Sequence, residues 1–170
     1  LRLIQNKIKQ KTFYRDQGIP TSDFQVHANH ASLQSALAED QLTMPFVWKL
    51  AEGGYDGFGV AMINKASDID NLPDSPCITE AAVEIDKEIA VVIVRDRHGN
   101  TEAFPPVEMA FHPTANQVEF VVCPASLSDQ ANQQAVQLAK QCAEAFNSPG
   151  LLAVELFLTK SGDWLVNEVA

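Results

Sequence analysis

One stretch limits the possible folds more than any other. An apolar run, residues 44–48, leads into Lys49 and then into Leu50-Ala51-Glu52-Gly53-Gly54-Tyr55-Asp56-Gly57-Phe58-Gly59, after which a second apolar run, Val60–Ile63, begins. Two short apolar segments joined by a glycine-rich insert read as an antiparallel hairpin whose turn has been enlarged for binding. The glycines at 53, 54, 57 and 59 free the backbone to fold tightly and to aim successive N–H groups at one ligand. Lys49 ends the first strand, where a lysine either reaches solvent or places a point charge on phosphate oxygens. Tyr55 and Asp56 lie inside the loop, where a purely mechanical hinge has no need of them. The loop is not a P-loop, because no Gly-Lys-Ser or Gly-Lys-Thr follows, and Gly57-Phe58-Gly59 lacks the third glycine and opening helix of a dinucleotide fingerprint. Its other reading is a flexible hairpin tip.

Two apolar strands near the C-terminal end carry carboxylates. Residues 151–158 and Trp164–Val169 flank a polar turn at 159–163, and their pairing brings Glu155 and Glu168 into one neighbourhood. A carboxylate is costly to bury in so apolar a strand without a positive partner, which is either a metal or a basic side chain. Asn167 adds a neutral oxygen beside Glu168, and magnesium favours hard oxygen donors that it shares with substrate phosphates.

The remaining pattern supplies the frame. Residues 6–17 read as a helix stopped by Gly18, with Pro20 beyond. Phe24–His27 reads as a strand, and Asn29 caps a second helix with Leu33, Ala36 and Leu37 on one face. Residues 77–79 form a strand ending in Glu80; residues 88–95 form a β-branched strand that returns through 101–104; residues 118–123 form another. Ser128 caps a long helix in which Ala135, Leu138, Ala139, Cys142 and Phe146 recur at helical spacing, ended by Pro149-Gly150. The expected class is α+β, with a small helix-and-hairpin lobe over residues 1–80 and a larger antiparallel sheet carrying one long helix over 81–170.

Charge and cysteine usage narrow the partners. A net charge of -10, from 12 Lys+Arg against 22 Asp+Glu, repels phosphate backbones, so no nucleic acid is expected. No apolar stretch approaches a membrane span. Cys77, Cys123 and Cys142 are odd in number, widely spaced and set in apolar stretches, which reads as three small buried hydrophobes in a reducing cytoplasm. His27, His30, His98 and His112 lack the companions of a metal or nucleophile site and read as structural or surface groups. The chain opens on Leu1, and it is expected to be a part of a longer protein.

The order of these residues resembles the ATP-grasp superfamily: a helix lysine (Lys7), a strand lysine (Lys49), a Gly-Gly-Tyr-Asp-Gly-x-Gly loop, Glu80, Glu88, then Glu155 and Asn167-Glu168 on the last strands. The Tyr55-Asp56 pair, Gln10-Lys11 ahead of Gly18-Ile19-Pro20-Thr21, and the segment from Gly150 to Phe157 are similar to the branch that carboxylates aminoimidazole ribonucleotide in purine biosynthesis. The resemblance implies an ATP-grasp fold with the nucleotide between the two lobes, ATP and Mg2+ as cofactors, and bicarbonate and aminoimidazole ribonucleotide as substrates, joined through carboxyphosphate. It implies that Lys7 and Lys49 contact phosphate, that Gly54, Tyr55, Asp56, Gly57, Phe58 and Gly59 form a lid, and that Tyr55 and Asp56 face the second substrate. Lys49, Tyr55 and Asp56 are then the catalytic group. It further implies that Glu80, Ala81, Ala82 and Val83 hold the adenine, Glu88 the ribose, and Glu155 and Glu168 the metal, with Asn167 beside them. Phe58 departs from the pattern, which has Lys or Arg there, and Met109-Ala110 stands where an asparagine is common. The flanking domains of such an enzyme are absent from this chain, so the chain alone is expected to be inactive in carboxylation; the whole enzyme is expected to be a homodimer. Competing expectations are another ATP-grasp carboxylate–amine ligase, a non-catalytic nucleotide-binding domain, and a structural domain without ligand.

Overall fold

A computed structural model describes residues 2–54, 59–111 and 118–170, so Tyr55, Asp56, Gly57 and Phe58, expected to belong to a lid, lie outside the described residues, as does His112. The chain divides into two compact units, Leu1–Thr12 with Ser22–Val83, and Phe13–Thr21 with Glu84–Ala170. The division falls inside the first helix, α1 (Lys7–Asp16), which is one residue shorter at each end than the sequence pattern suggests. Gly18 ends it as expected, at φ +65, while the Ile19 amide donates back to the Tyr14 carbonyl at 2.9 Å.

In the first unit, four strands form an antiparallel sheet in the order β1-β4-β2-β3, with β1 at Phe24–His27, β2 at Phe46–Leu50, β3 at Val60–Ile63 and β4 at Cys77–Ala81. The glycine-rich segment joins β2 to β3, and Lys49 stands opposite Val60 at the mouth of that hairpin. One sheet face is apolar. Phe46, Trp48, Ile63 and Cys77 pack there with Leu33 of α2 (His30–Ala38) and with Ile69 from a short 3-10 turn, Ala66–Ile69. Full burial of a side chain such as Leu33, Phe46 or Ile63 contributes about 1.5–3 kcal/mol. Asn29 caps α2 by accepting from the Ser32 amide at 2.9 Å. Contrary to the sequence reading, β4 does not stop at residue 79. The Ala81 amide donates to the Asp23 carbonyl at 2.8 Å and Phe46 pairs with Ala81, which holds Glu80 inside the strand.

In the second unit, a sheet in the order β10-β9-β5-β7-β8 is built on the long strand β5 (Ile85–Arg95), with β6 (Thr101–Ala103) returning along its far end. Every pairing among these strands is antiparallel. β7 (Val107–Phe111) is a strand the sequence reading missed, because Pro105-Pro106 just before it reads as loop. β8 (Val118–Val122) is the outer strand, and its Val118, Phe120, Val121 and Val122 are exposed. Strict alternation along β5 buries Ile89, Val91 and Ile93 on one face, joined by Val154 and Leu156 of β9 (Gly150–Thr159) and Val166 of β10 (Trp164–Val169).

Helix α3 (Asp129–Phe146) packs on this sheet through Ala135, Leu138, Ala139, Cys142 and Ala143, an i, i+3, i+4, i+7, i+8 stripe. The helix ends earlier than the Pro149-Gly150 signal: Asn147 takes the left-handed conformation at φ 46 and donates to the Ala143 and Glu144 carbonyls, while Gly150 opens β9. The last turns of α1 bring Phe13 to 4.9 Å from Phe146, ring centre to ring centre, and beyond Gly18 the chain runs along β10, where Pro20 accepts from the Val166 amide at 2.8 Å. Among the described residues, no helix is long and apolar enough to cross a membrane.

Candidate functional site

The first unit gathers its charge on one side of the β2–β4 pair. Lys49 stands opposite Ile78 and Glu80 opposite Val47, so the two are diagonal neighbours on the face turned away from Phe46 and Trp48. The Lys49 ammonium lies 3.0 Å from Glu80 Oε1. The other oxygen, Oε2, accepts from the Ser22 hydroxyl at 2.6 Å and meets the Lys11 ammonium of α1 at 3.2 Å. Lys11 also donates to Ser22 at 3.3 Å, which closes a triangle. Lys11 and Glu80 are each only 3% exposed and Lys49 8%. Burial pushes the Glu80 carboxyl up, but Lys49, Lys11 and the Ser22 hydroxyl outweigh it and hold the group below its ordinary value. The carboxyl is therefore an anion gripped by two cations.

Around this cluster, Lys7 is half-buried and its amide donates to the Ala51 carbonyl at 2.9 Å, which ties the start of α1 to the chain leaving β2. Gly54 is exposed. Gly59, at φ +82, is closely approached: an added Cβ would come 3.1 Å from Leu50 Cβ, which would have to give way. Its carbonyl accepts from the Leu50 amide at 2.8 Å, so the far end of the loop is fixed against the end of β2. Ala81 and Ala82 are exposed and Val83 half-buried.

In the second unit, Glu155 and Glu168 are direct partners across β9 and β10. The ladder slips between Val166 and Glu168, so Asn167 is an extra residue on β10. Directly opposed residues share a sheet face, and here it is the face away from α3. The Asn167 amide nitrogen donates to Glu155 Oε2 at 3.3 Å, while both carboxylates are half-buried. Glu88 lies on the same face, since Ala90 pairs with Glu155 and Glu88, two residues along, pairs with Phe157 and Met109. Two carboxylates and an amide at adjoining positions are a hard donor set of the kind that fits magnesium. Like charges set directly opposite each other destabilise a strand pair, and a shared divalent cation reverses that sign. Behind the sheet, Tyr14 is fully buried, and burial first, with Cys142, Glu168 and Glu155 nearby, pushes its hydroxyl above the ordinary range.

Sequence reasoning missed Lys11 and Ser22. Lys11 looks like one of several charges on a solvated helix face, yet it lies three residues before Tyr14 and so borders the buried stripe of α1; that spacing was the available signal. Ser22 gave none. One cysteine also departs from expectation: Cys77 and Cys142 are buried, but Cys123, just past β8, is exposed. His27 is buried against the Thr79 hydroxyl at 3.0 Å and His30 contacts the Ile69 carbonyl at 2.8 Å, both structural roles.

Comparison with known proteins adds a family. The model of the ATP-grasp domain matches residues 12–170. The chain is 33% identical to N5-carboxyaminoimidazole ribonucleotide synthase of Bacillus subtilis (strain 168), over 100% of this chain and 45% of that protein. The crystal structure of carboxyaminoimidazole ribonucleotide synthase from Aspergillus clavatus complexed with ATP superposes with a TM-score of 0.89 at 31% identity, covering 99% of this chain and 45% of the other. A second structure from Aspergillus clavatus, in complex with ADP and 5-aminoimidazole ribonucleotide, gives a TM-score of 0.87 at 29% identity over 99% and 44%. The chain thus spans less than half the length of each.

Proposed function

Because the chain belongs to the ATP-grasp family, we propose that it is the ATP-binding part of a carbon–nitrogen ligase that carboxylates aminoimidazole ribonucleotide with ATP and bicarbonate. The observation that carries this reading is the facing pair Glu155 and Glu168 with Asn167 bulged beside it. Similarity to synthases described with ATP, and with ADP and 5-aminoimidazole ribonucleotide, supports the choice of substrates.

The roles follow from the geometry of each unit. Glu155 and Glu168 would hold magnesium, whose chemistry when bound is to neutralise phosphate oxygens. Asn167 orients Glu155 by donating to its Oε2. In the first unit Lys49, fixed by Glu80, carries a positive charge to the mouth of the glycine loop and is assigned to phosphate, with Lys7 as a second cation. The loop from Gly54 to Gly59, whose residues 55–58 lie outside the described set, is assigned to closure over the reacting groups, with Tyr55 and Asp56 facing the ribonucleotide. The backbone of Glu80 through Val83 is assigned to the adenine edge, which leaves the Glu80 side chain to the two lysines, and Glu88 is assigned to the ribose. Phosphoryl transfer depends mainly on positioning and charge neutralisation, and these residues supply both. Carboxyphosphate is lost quickly in water, so the lid's work is exclusion.

The test is a calorimetric titration of the chain with ATP, in magnesium and in EDTA. The wild type is expected to bind more tightly with magnesium, and Glu168→Gln to lose that difference. Equal binding under both conditions by the wild type removes the metal assignment. Carboxylation itself is to be measured in the whole protein; vigorous ADP production by the isolated chain, dependent on aminoimidazole ribonucleotide, would contradict the expectation that it is inactive.

A further inference from the structure

We propose that Lys11 is a positioning residue, which acts through the Glu80 carboxylate to fix the Lys49 ammonium for a polyphosphate ligand. The inference rests on the reading of Lys49 as a phosphate contact and deepens it.

The two oxygens of Glu80 are held differently. Oε2 is held from two sides, by the Ser22 hydroxyl at 2.6 Å and the Lys11 ammonium at 3.2 Å. Oε1 is the oxygen that meets Lys49, at 3.0 Å. A carboxylate is free to rotate about its last bond unless its oxygens are distinguished, and here Lys11 and Ser22 distinguish them. Lys11 and Ser22 also bond each other at 3.3 Å, so the grip on Oε2 is a closed triangle rather than a single contact. Both Lys11 and Glu80 are buried, where charge-assisted hydrogen bonds are strong and their geometry is fixed by packing. Lys49, on a flexible four-carbon stem, is otherwise the least directed of cations. A carboxylate held still at one oxygen turns it into a directed one.

Charge sharing works in the same direction. If Glu80 answered Lys49 alone, the pair would present no net charge to an approaching anion. With Lys11 taking part of the carboxylate's charge, more of the Lys49 field reaches the loop it borders. Lys11 touches no substrate in this scheme, and its effect is transmitted by one side chain.

The test uses the full 170-residue chain with inorganic tripolyphosphate and, separately, adenosine as calorimetric probes. Lys11→Met is expected to weaken tripolyphosphate binding about tenfold and leave adenosine binding unchanged, while Lys11→Arg recovers most of the loss. Ser22→Ala, which removes only a hydroxyl, is expected to give a smaller loss of the same anion-selective kind, and it serves if Lys11→Met does not fold by circular dichroism. Wild-type affinity for tripolyphosphate in the folded variants overturns the proposal, as does an equal loss for both probes, which would mark a general structural role. Failure of the wild type to bind tripolyphosphate also overturns it, whereas the ATP reading falls only if Mg-ATP is refused as well.

Discussion

Glu168 faces Glu155 because Asn167 is inserted between Glu168 and the regular part of β10. In an unbroken ladder Asn167 would itself stand opposite Glu155, and Glu168 would turn to the far face among Val154 and Val166. One surplus residue therefore places two carboxylates and an amide on a single side. The amide has a job of its own in that arrangement, since its nitrogen donates to Glu155 at 3.3 Å. Asn167→Ala should keep the strands paired and cost about tenfold in magnesium-dependent ATP binding, with metal-free binding unaltered. Calorimetry with and without EDTA decides this, and an unchanged magnesium effect would show that the amide does not orient the carboxylate.

Glu80 makes stability depend on pH in a defined direction. Its folded carboxyl titrates below the ordinary value of 4.5, so the native state holds fewer protons there than the unfolded chain. The stabilisation is complete above that ordinary value and fades as pH falls through the lower, folded value. Glu80→Gln strands two buried ammonium groups and should cost about 3–5 kcal/mol near neutral pH. The gap between wild type and variant should narrow steadily in acid below the ordinary carboxylate range. Urea unfolding of both proteins across that range provides the measurement; a gap that is constant with pH would mean that the charge on Glu80 is not the source of the effect.

The two ends of the glycine loop should respond differently to a methyl group. Gly53 has φ +79 and open space around its missing side chain, whereas Gly59 has φ +82 and Leu50 Cβ at 3.1 Å from the place a Cβ would occupy. Gly53→Ala should cost about 1–2 kcal/mol for the left-handed backbone alone. Gly59→Ala carries the same conformational cost plus a clash, and should lower the thermal midpoint further. Equal midpoints for the two variants would show that the end of β2 yields to make room.

Much of the fold was legible in the sequence, for reasons that differ along the chain. β3 and β10 match their expected bounds because each is a compact apolar run with turn residues on at least one side. α3 was legible from its serine cap and its stripe of alanine, leucine and cysteine, but its end was not. An asparagine able to adopt a left-handed φ stopped it before the more conspicuous Pro-Gly did. β7 was hidden because its pairing with β5 and β8 is non-local, and the two prolines ahead of it give the local signal of a loop. In the site, the nearness of Glu155 and Glu168 was legible from the turn between their strands, but their direct opposition was not. Nor was the bulge that makes it work, since nothing in Val166-Asn167-Glu168 marks a register slip. Lys11 was overlooked because a lysine on a helix is usually solvated, and only the carboxylate that arrives from β4, 69 residues later, explains its burial.

The unequal surroundings of the three cysteines have a practical use. Burial pushes the Cys142 thiol up to about 12 and raises that of Cys77 as well, so neither forms much thiolate at neutral pH. Cys123 alone is open to solvent. A maleimide-linked fluorophore or spin label should therefore attach at a single place in the unmutated chain, beside the outermost strand of the second sheet, giving a spectroscopic reporter that requires no cysteine to be engineered in or out.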